Sequence, residues 1–341
     1  MTRINNLDYL RGISALGIMF YHYSSWAFGH YSADDFLGRV GIYGVSIFYI
    51  LSGITLYLVY FEKMKFKHSD LKLFFKKRIL RIFPLLWLVN CIVLFFSDKK
   101  FAISDLILNF TGLFGFFKWH IYLSSGIWSI GNELVFYVFF PFFVFFTKSK
   151  KMLMYILSFM IFISFMYFTF FILKNDILLE NQWKNYTNPL NQVFYFLLGF
   201  LIGHLIGGWN IGRNNLIYAA LGALVLFIYF PIDGNIMNLI TGVNRLIFTF
   251  IVTVFTISVY KLPFTFPRVP HLVLTFFGEI SYSLYLLHPI VWTVVNRLFR
   301  SVFNSNTGVV IPTAILVTIV TSYLVHQYFE KLFMNLGKIR K

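Results

Sequence analysis

The 341-residue chain is 58% hydrophobic and 21% aromatic, has only 12% charged residues, and carries a formal net charge of +16. With a mean hydropathy of +0.73, it excludes a soluble globular domain and points to an all-α, polytopic integral membrane bundle. The positive balance could suit nucleic acid, but the basic residues lie in short stretches between apolar runs, so topology and contact with anionic membrane lipids account for it and no nucleic acid partner is expected.

Ten apolar segments of spanning length follow one another, centred on residues 7–28, 40–61, 79–97, 127–147, 152–173, 191–208, 214–231, 243–260, 274–296 and 308–330. The first reads LDYLRGISALGIMFYHYSSWAF, with Asp8 and Arg11 near one end and His22 near the other. On a helix Arg11 and His22 lie within about 20° of one face and about 16 Å apart along the axis. A charged group at such depth costs roughly 2.5–3.5 kcal/mol and so faces protein or a wet cavity. The two residues read as one polar track; the plainer alternative has Arg11 snorkelling to the interface and His22 bonded inside the bundle. The segment is too long for a signal peptide core and no small-residue cleavage site follows it, so it is expected to be retained. The single cysteine, Cys91, falls in the third segment and rules out an intrachain disulfide.

The connection at 62–78 is the most basic, with Lys63, Lys65, Lys67, Lys72, Lys76, Lys77 and Arg78, and Arg81 follows it. Lys148, Lys150 and Lys151 follow the fourth segment, and Lys331, Lys338, Arg340 and Lys341 close the chain. With ten spans these clusters share one side, which then holds 20 of the 29 Lys and Arg residues against 8 opposite, with Arg245 inside a span. The positive-inside rule places that side, and both termini, in the cytosol. Segment 101–118 carries Asp105 and Asn109 and is expected to be a re-entrant or interfacial external element rather than an eleventh span. The external segments 29–39 and 174–190 hold Tyr31, Trp183 and Tyr186, which could stack on a sugar or form an interfacial belt. No internal repeat or separate soluble domain is visible, so one transmembrane domain is expected over 1–341. Neither a metal site nor a permanently bound cofactor is expected.

Four blocks could carry chemistry. RILRIFP at 78–84 puts Arg78 and Arg81 on one face where the third span meets the cytosol, suiting bidentate phosphate contacts or simple anchoring. GIWSIGNE at 126–133 puts Ser129 and Glu133 on one face, just inside the outer boundary; a carboxylate there is a functional candidate or the packing partner of an Arg or His. GEISYSLYLLHP at 278–289 aligns Ser281, Tyr285 and His288, with His288 at a depth comparable with His22 and Glu133. GIYGVSIFYILSG at 41–53 offers Ser46, Ser52 and glycines for close helix approach.

In this order and over ten spans, the blocks GVSIFYILSG, RILRIFP, WSIGNE and SYSLYLLHP, with the Arg11 and His22 spacing, resemble the membrane-bound acyltransferase family 3, which contains bacterial O-acetyltransferases of lipopolysaccharide, capsule, exopolysaccharide and peptidoglycan. The resemblance covers nearly the whole chain. Ser46 stands where that family often has an acidic residue, Asn132 precedes Glu133 where a small or apolar residue is usual, and no counterpart of some members' C-terminal hydrolase-like domain is expected. The resemblance implies a bacterial inner-membrane O-acyltransferase. It would move an acyl group, acetyl foremost, from cytosolic acetyl-CoA or another acyl-CoA to a glycan or lipid-linked saccharide such as lipopolysaccharide O-antigen, capsule or exopolysaccharide. A sugar hydroxyl needs a base to attack a thioester. His22 is the candidate, as general base or as an acyl-histidine nucleophile, with Glu133 orienting its ring. Arg11 would hold the donor and Arg78 with Arg81 its phosphates, while Trp128, Ser129, Ser52, Tyr285 and His288 would serve the acceptor or support the site. An exporter or flippase of glycan or lipid-linked precursor is the alternative from another class, but its inverted repeats and paired broken helices are not found.

Overall fold

The computed structural model describes residues 4–97, 100–301 and 306–337, and every regular element among them is helical. Lys338, Arg340 and Lys341 of the last basic cluster lie outside the described residues. The helices are α1 (Asn5–Phe28), α2 (Phe36–Tyr60), α3 (His68–Phe96), α4 (Ile103–Thr111), α5 (Phe114–Phe117), α6 (Ile127–Ser149), α7 (Lys151–Tyr167), α8 (Trp183–Tyr186), α9 (Pro189–Leu201), α10 (Arg213–Tyr229), α11 (Gly242–Lys261), α12 (Arg268–Ser301), α13 (Thr307–Val325) and α14 (Lys331–Leu336). π turns extend α7 over Phe168–Ile172 and α9 over Ile202–Ile206, and a third, His326–Glu330, joins α13 to α14. Seven of these rods are long and apolar enough to cross a membrane: α2, α3, α6, α7, α9, α11 and α13 with their extensions. Each of the ten apolar segments lies on a helix; α10, at Arg213–Tyr229, is a shorter apolar helix, and α1 and α12 carry polar and charged side chains along their length.

Contacts between the connections sort them into two ends. At one end the amide of Ala33 donates to Gly234, Trp119 donates to the Lys184 carbonyl, and His30 pairs with Glu180, which gathers the connections after α1, α5, α7 and α10. This is the loop-rich end. At the opposite end Asn6 bonds the carbonyls of Val259 and Leu262, and Lys148 donates to Met64. The stretch from Lys63 to Lys77 and Lys148 to Lys151 lie here, so this is the basic end.

One boundary differs from expectation. α3 begins at His68 rather than at 79, because a Lys-rich stretch that is too polar for an apolar segment still forms helix, with Asp70 in its first turn complementing the dipole. Arg78 and Arg81 lie roughly 15–20 Å along the helix from its start. Segment 101–118, expected not to be an eleventh span, forms the two short helices α4 and α5. The nine residues of α4 bury Asn109 and expose Ile103 and Ile107, and Lys118 closes the element on Asp105 at 2.7 Å.

α1 packs against α12 and α2, and α2 against α9. Buried Arg39, at the start of α2, ties down α10: its guanidinium donates to the carbonyls of Phe227, Ile228 and Phe230 at 2.8 Å each and, through Nε, to Ala33 at 2.9 Å. These are the last carbonyls of α10, which have no partner within the helix. α9 starts on Asn188, whose side chain accepts from the Leu190 amide at 2.9 Å, with Pro189 in the first turn.

Candidate active site

α1 and α12 meet with almost no side chain between them. A Cβ on Gly12 would stand 2.8 Å from the Gly278 nitrogen, so only glycine permits this approach. The crossing sets Arg11 beside Ser281 and Tyr282, on the wall of a cavity of about 120 Å³ inside the bundle. Ser52 and Thr55 of α2, Arg78 and Arg81 of α3, Ser129, Glu133 and Tyr137 of α6, and Tyr285 of α12 complete its polar lining.

Three guanidiniums face one carboxylate in this cavity. Arg11 pairs with Asp8 at 3.0 Å and also donates to the Thr55 hydroxyl. Arg78 donates to the Tyr60 hydroxyl at 3.2 Å and lies over the rings of Tyr60 and Tyr137, 5.4 and 5.5 Å from their centroids, while its buried Nε has no partner. Arg81 is exposed and makes no hydrogen bond among the described residues. Glu133, the one acidic lining residue, accepts from Ser52 at 2.9 Å and from the Tyr137 hydroxyl. A carboxylate held by two hydroxyls, with a guanidinium across Tyr137, is fixed in place and leaves an excess of positive charge for an anionic ligand.

At the loop-rich side the cavity ends on Tyr285. Its hydroxyl pairs with Ser129 at 2.8 Å and donates to the Gly126 carbonyl at 3.3 Å, while Ser129 donates to the same carbonyl at 2.9 Å. Gly126 has φ 86°, the left-handed conformation that turns the chain into α6. Behind Tyr285, at 5.9 Å between ring centroids, lies buried His288. His22, His288 and Trp26 form a near-parallel aromatic group, with centroids 4.9 Å (His22 to Trp26), 5.3 Å (His22 to His288) and 6.1 Å (Trp26 to His288) apart. His288 Nδ1 lies 3.1 Å from the Leu284 carbonyl. A carbonyl only accepts, so in the neutral ring Nδ1 carries the proton and Nε2, which is buried without a partner, keeps its lone pair free. Trp26 also lines a second, open cavity of about 650 Å³, with Tyr122, Ser125, Trp292 and Thr293. The septum of Tyr285, Gly126 and His288 thus stands between an arginine-rich inner cavity and an aromatic vestibule.

The family's sequence profile, described as an acyltransferase domain, matches residues 4–327. The chain belongs to acyltransferase family 3. No curated protein and no solved structure matches it.

In this acyltransferase family 3 chain the structure brings together Arg11, Ser52, Arg78, Arg81, Ser129, Glu133 and Tyr285 in one cavity. His22 and His288 form a separate pair beyond Tyr285, and Glu133, expected to orient the His22 ring, instead accepts from Ser52 and Tyr137. Trp128 is buried against Trp183 and Tyr186, 5.7 and 5.6 Å between centroids, so these rings buttress one another instead of offering a free face to a sugar. Asn132, a departure from the family pattern, is buried and does not itself line the cavity; it donates to the hydroxyl of Tyr49, which does, and to the Thr187 carbonyl. Tyr137, Thr55 and Tyr282 were not among the expected site residues. Tyr137 lies one helical turn after Glu133, a spacing the sequence displays; Thr55 and Tyr282 reach the site through tertiary packing.

Proposed function

We propose that the protein is a bacterial inner-membrane O-acyltransferase. It takes an acyl group, acetyl first among them, from a cytosolic acyl-CoA and passes it to a hydroxyl of a cell-surface glycan or lipid-linked saccharide. α1, α10 and α12 join the seven long apolar helices to make ten crossings, with the basic end and both termini in the cytosol, as the charge distribution favours.

The observation that carries the reading is the convergence of Arg11, Arg78 and Arg81 on a cavity with one acidic lining residue. Anionic donors suit such a cavity, and arginine binds phosphate bidentately. Its volume of about 120 Å³ holds the phosphates or the thioester arm but not a whole coenzyme, so the nucleotide stays toward the basic end. His22 makes no hydrogen bond among the described residues, which leaves its ring nitrogens open to an acceptor hydroxyl. In the reaction the thioester reaches past Tyr285 to His22, and the hydroxyl proton passes to His22 as the hydroxyl oxygen bonds the thioester carbonyl carbon. The C–S bond breaks, the ester remains on the saccharide, and the CoA thiolate takes the proton from the imidazolium to leave as the thiol. Glu133, fixed by Ser52 and Tyr137, balances the arginines around the donor.

Purified protein in lipid nanodiscs should bind acetyl-CoA by calorimetry and release free CoA thiol when supplied with acceptor glycan. Absence of acetyl-CoA binding contradicts the reading.

A further inference from the structure

The vestibule beyond the septum has a composition unlike the lipid-facing grooves of the bundle. Trp26 and Trp292, 5.9 Å between centroids, give it aromatic faces, and Ser125, Thr293 and Tyr122 add hydroxyls. Trp26 is 38% exposed while the same ring stacks on His22, so one indole both faces the opening and touches the candidate base. The Tyr122 hydroxyl already accepts from Trp183 Nε1 at 2.5 Å, so its own proton is available to a ligand. Burial pushes that phenol up to about 12, so it remains a donor at neutral pH. His288, buried and with Nε2 unpartnered, lies directly beneath Trp26 and His22. A purely apolar ligand would leave the Tyr122 and Ser125 hydroxyl protons without an acceptor, and a free anion would find no lining cation. A ring with apolar C–H faces and a polar hydroxyl rim matches both features.

We infer that this vestibule is a saccharide subsite, in which a pyranose ring lies on the exposed face of Trp26, takes hydrogen bonds from Tyr122 and Ser125, gives one to Thr293, whose own proton is held by the Pro289 carbonyl, and turns one hydroxyl toward His22. The inference rests on the acyltransferase reading for what the hydroxyl then does, but the binding itself is independent of the donor.

The test uses the full-length protein in lipid nanodiscs, free of glycoside detergents, and the methyl glycosides of glucose, galactose, rhamnose and N-acetylglucosamine as probes. Saturation-transfer NMR should show magnetisation passing to the ring C–H protons of at least one glycoside. The transfer should fall about fivefold in Trp26→Ala and persist in Trp26→Phe, both checked for a single eluting species. No transfer to any of the four glycosides, or equal transfer in wild type and Trp26→Ala, overturns the subsite. If Trp26→Ala does not elute as one species, Tyr122→Phe carries the test: transfer should fall about twofold, and an unchanged signal overturns it. CoA binding on the same preparations separates the two claims. CoA bound without glycoside transfer removes the subsite and leaves the acyltransferase reading; glycoside transfer without CoA binding removes the donor and leaves the subsite.

Discussion

His22 and Glu133 should fail differently when replaced. His22 has ring contacts but no hydrogen bonds to lose among the described residues, so His22→Ala should leave the protein folded while lowering transfer by about 10²–10⁴-fold, the usual cost of a missing general base. Near-normal transfer would shift the role to His288. Glu133→Gln keeps the size and an oxygen for Ser52 and Tyr137 but leaves three guanidiniums without the cavity's lining carboxylate. Turnover should fall about tenfold or more, and a wild-type rate would reduce Glu133 to packing. At this scale the sequence shows most of the candidate residues, because ionisable and hydroxyl side chains stand out in apolar helices. It does not show the partnerships. The spacing of Ser129 and Glu133 suggests a shared face, but what Glu133 touches depends on how α2 and α6 cross, and no local pattern encodes that.

Helix crossings carry the next tests. A Cβ at Gly278 would stand 2.8 Å from the Asp8 carbonyl carbon, against backbone that cannot swing aside. Gly278→Ala should force α1 and α12 apart, cost about 1–3 kcal/mol, and depress turnover by displacing Arg11; an unchanged thermal midpoint with full activity would contradict the crossing. Arg39→Met keeps apolar bulk but frees the carbonyls of Phe227, Ile228 and Phe230, so a loss of about 2–5 kcal/mol is expected, measured as a lower thermal midpoint. At the loop-rich end, burial first, then Lys184 and Lys118, hold the His120 pKa below its ordinary value. The folded connection therefore binds a proton less readily than the opened one. Its stability should be intact at neutral pH and decline as pH falls below about 6.5, the ordinary histidine value. Hydrogen exchange of the 118–126 amides, corrected for intrinsic rates, should accelerate on that acidification, and a flat profile would contradict it. Helix positions were legible because apolar runs of spanning length are unambiguous. The start of α3 was not, since its first turns are lysine-rich and read as a polar connection.

For the whole molecule, donor and acceptor are proposed to enter from opposite ends. The basic end holds the connection from Lys63 to Lys77, and in a Cys91→Ser background a cysteine placed there should be shielded from an impermeant thiol reagent in intact cells, while one at 30–34 should react. Reaction at the basic connection would invert the orientation. The central claim is that the arginine-rich cavity receives the donor, and it is tested most directly by titrating acetyl-CoA against purified wild type and the double variant Arg78→Ala, Arg81→Ala. Donor KM should rise about tenfold or more in the double variant with a smaller change in kcat, and lysine at both positions should restore it only partly, because the planar fork is lost. An unchanged donor KM in the double alanine variant would contradict it.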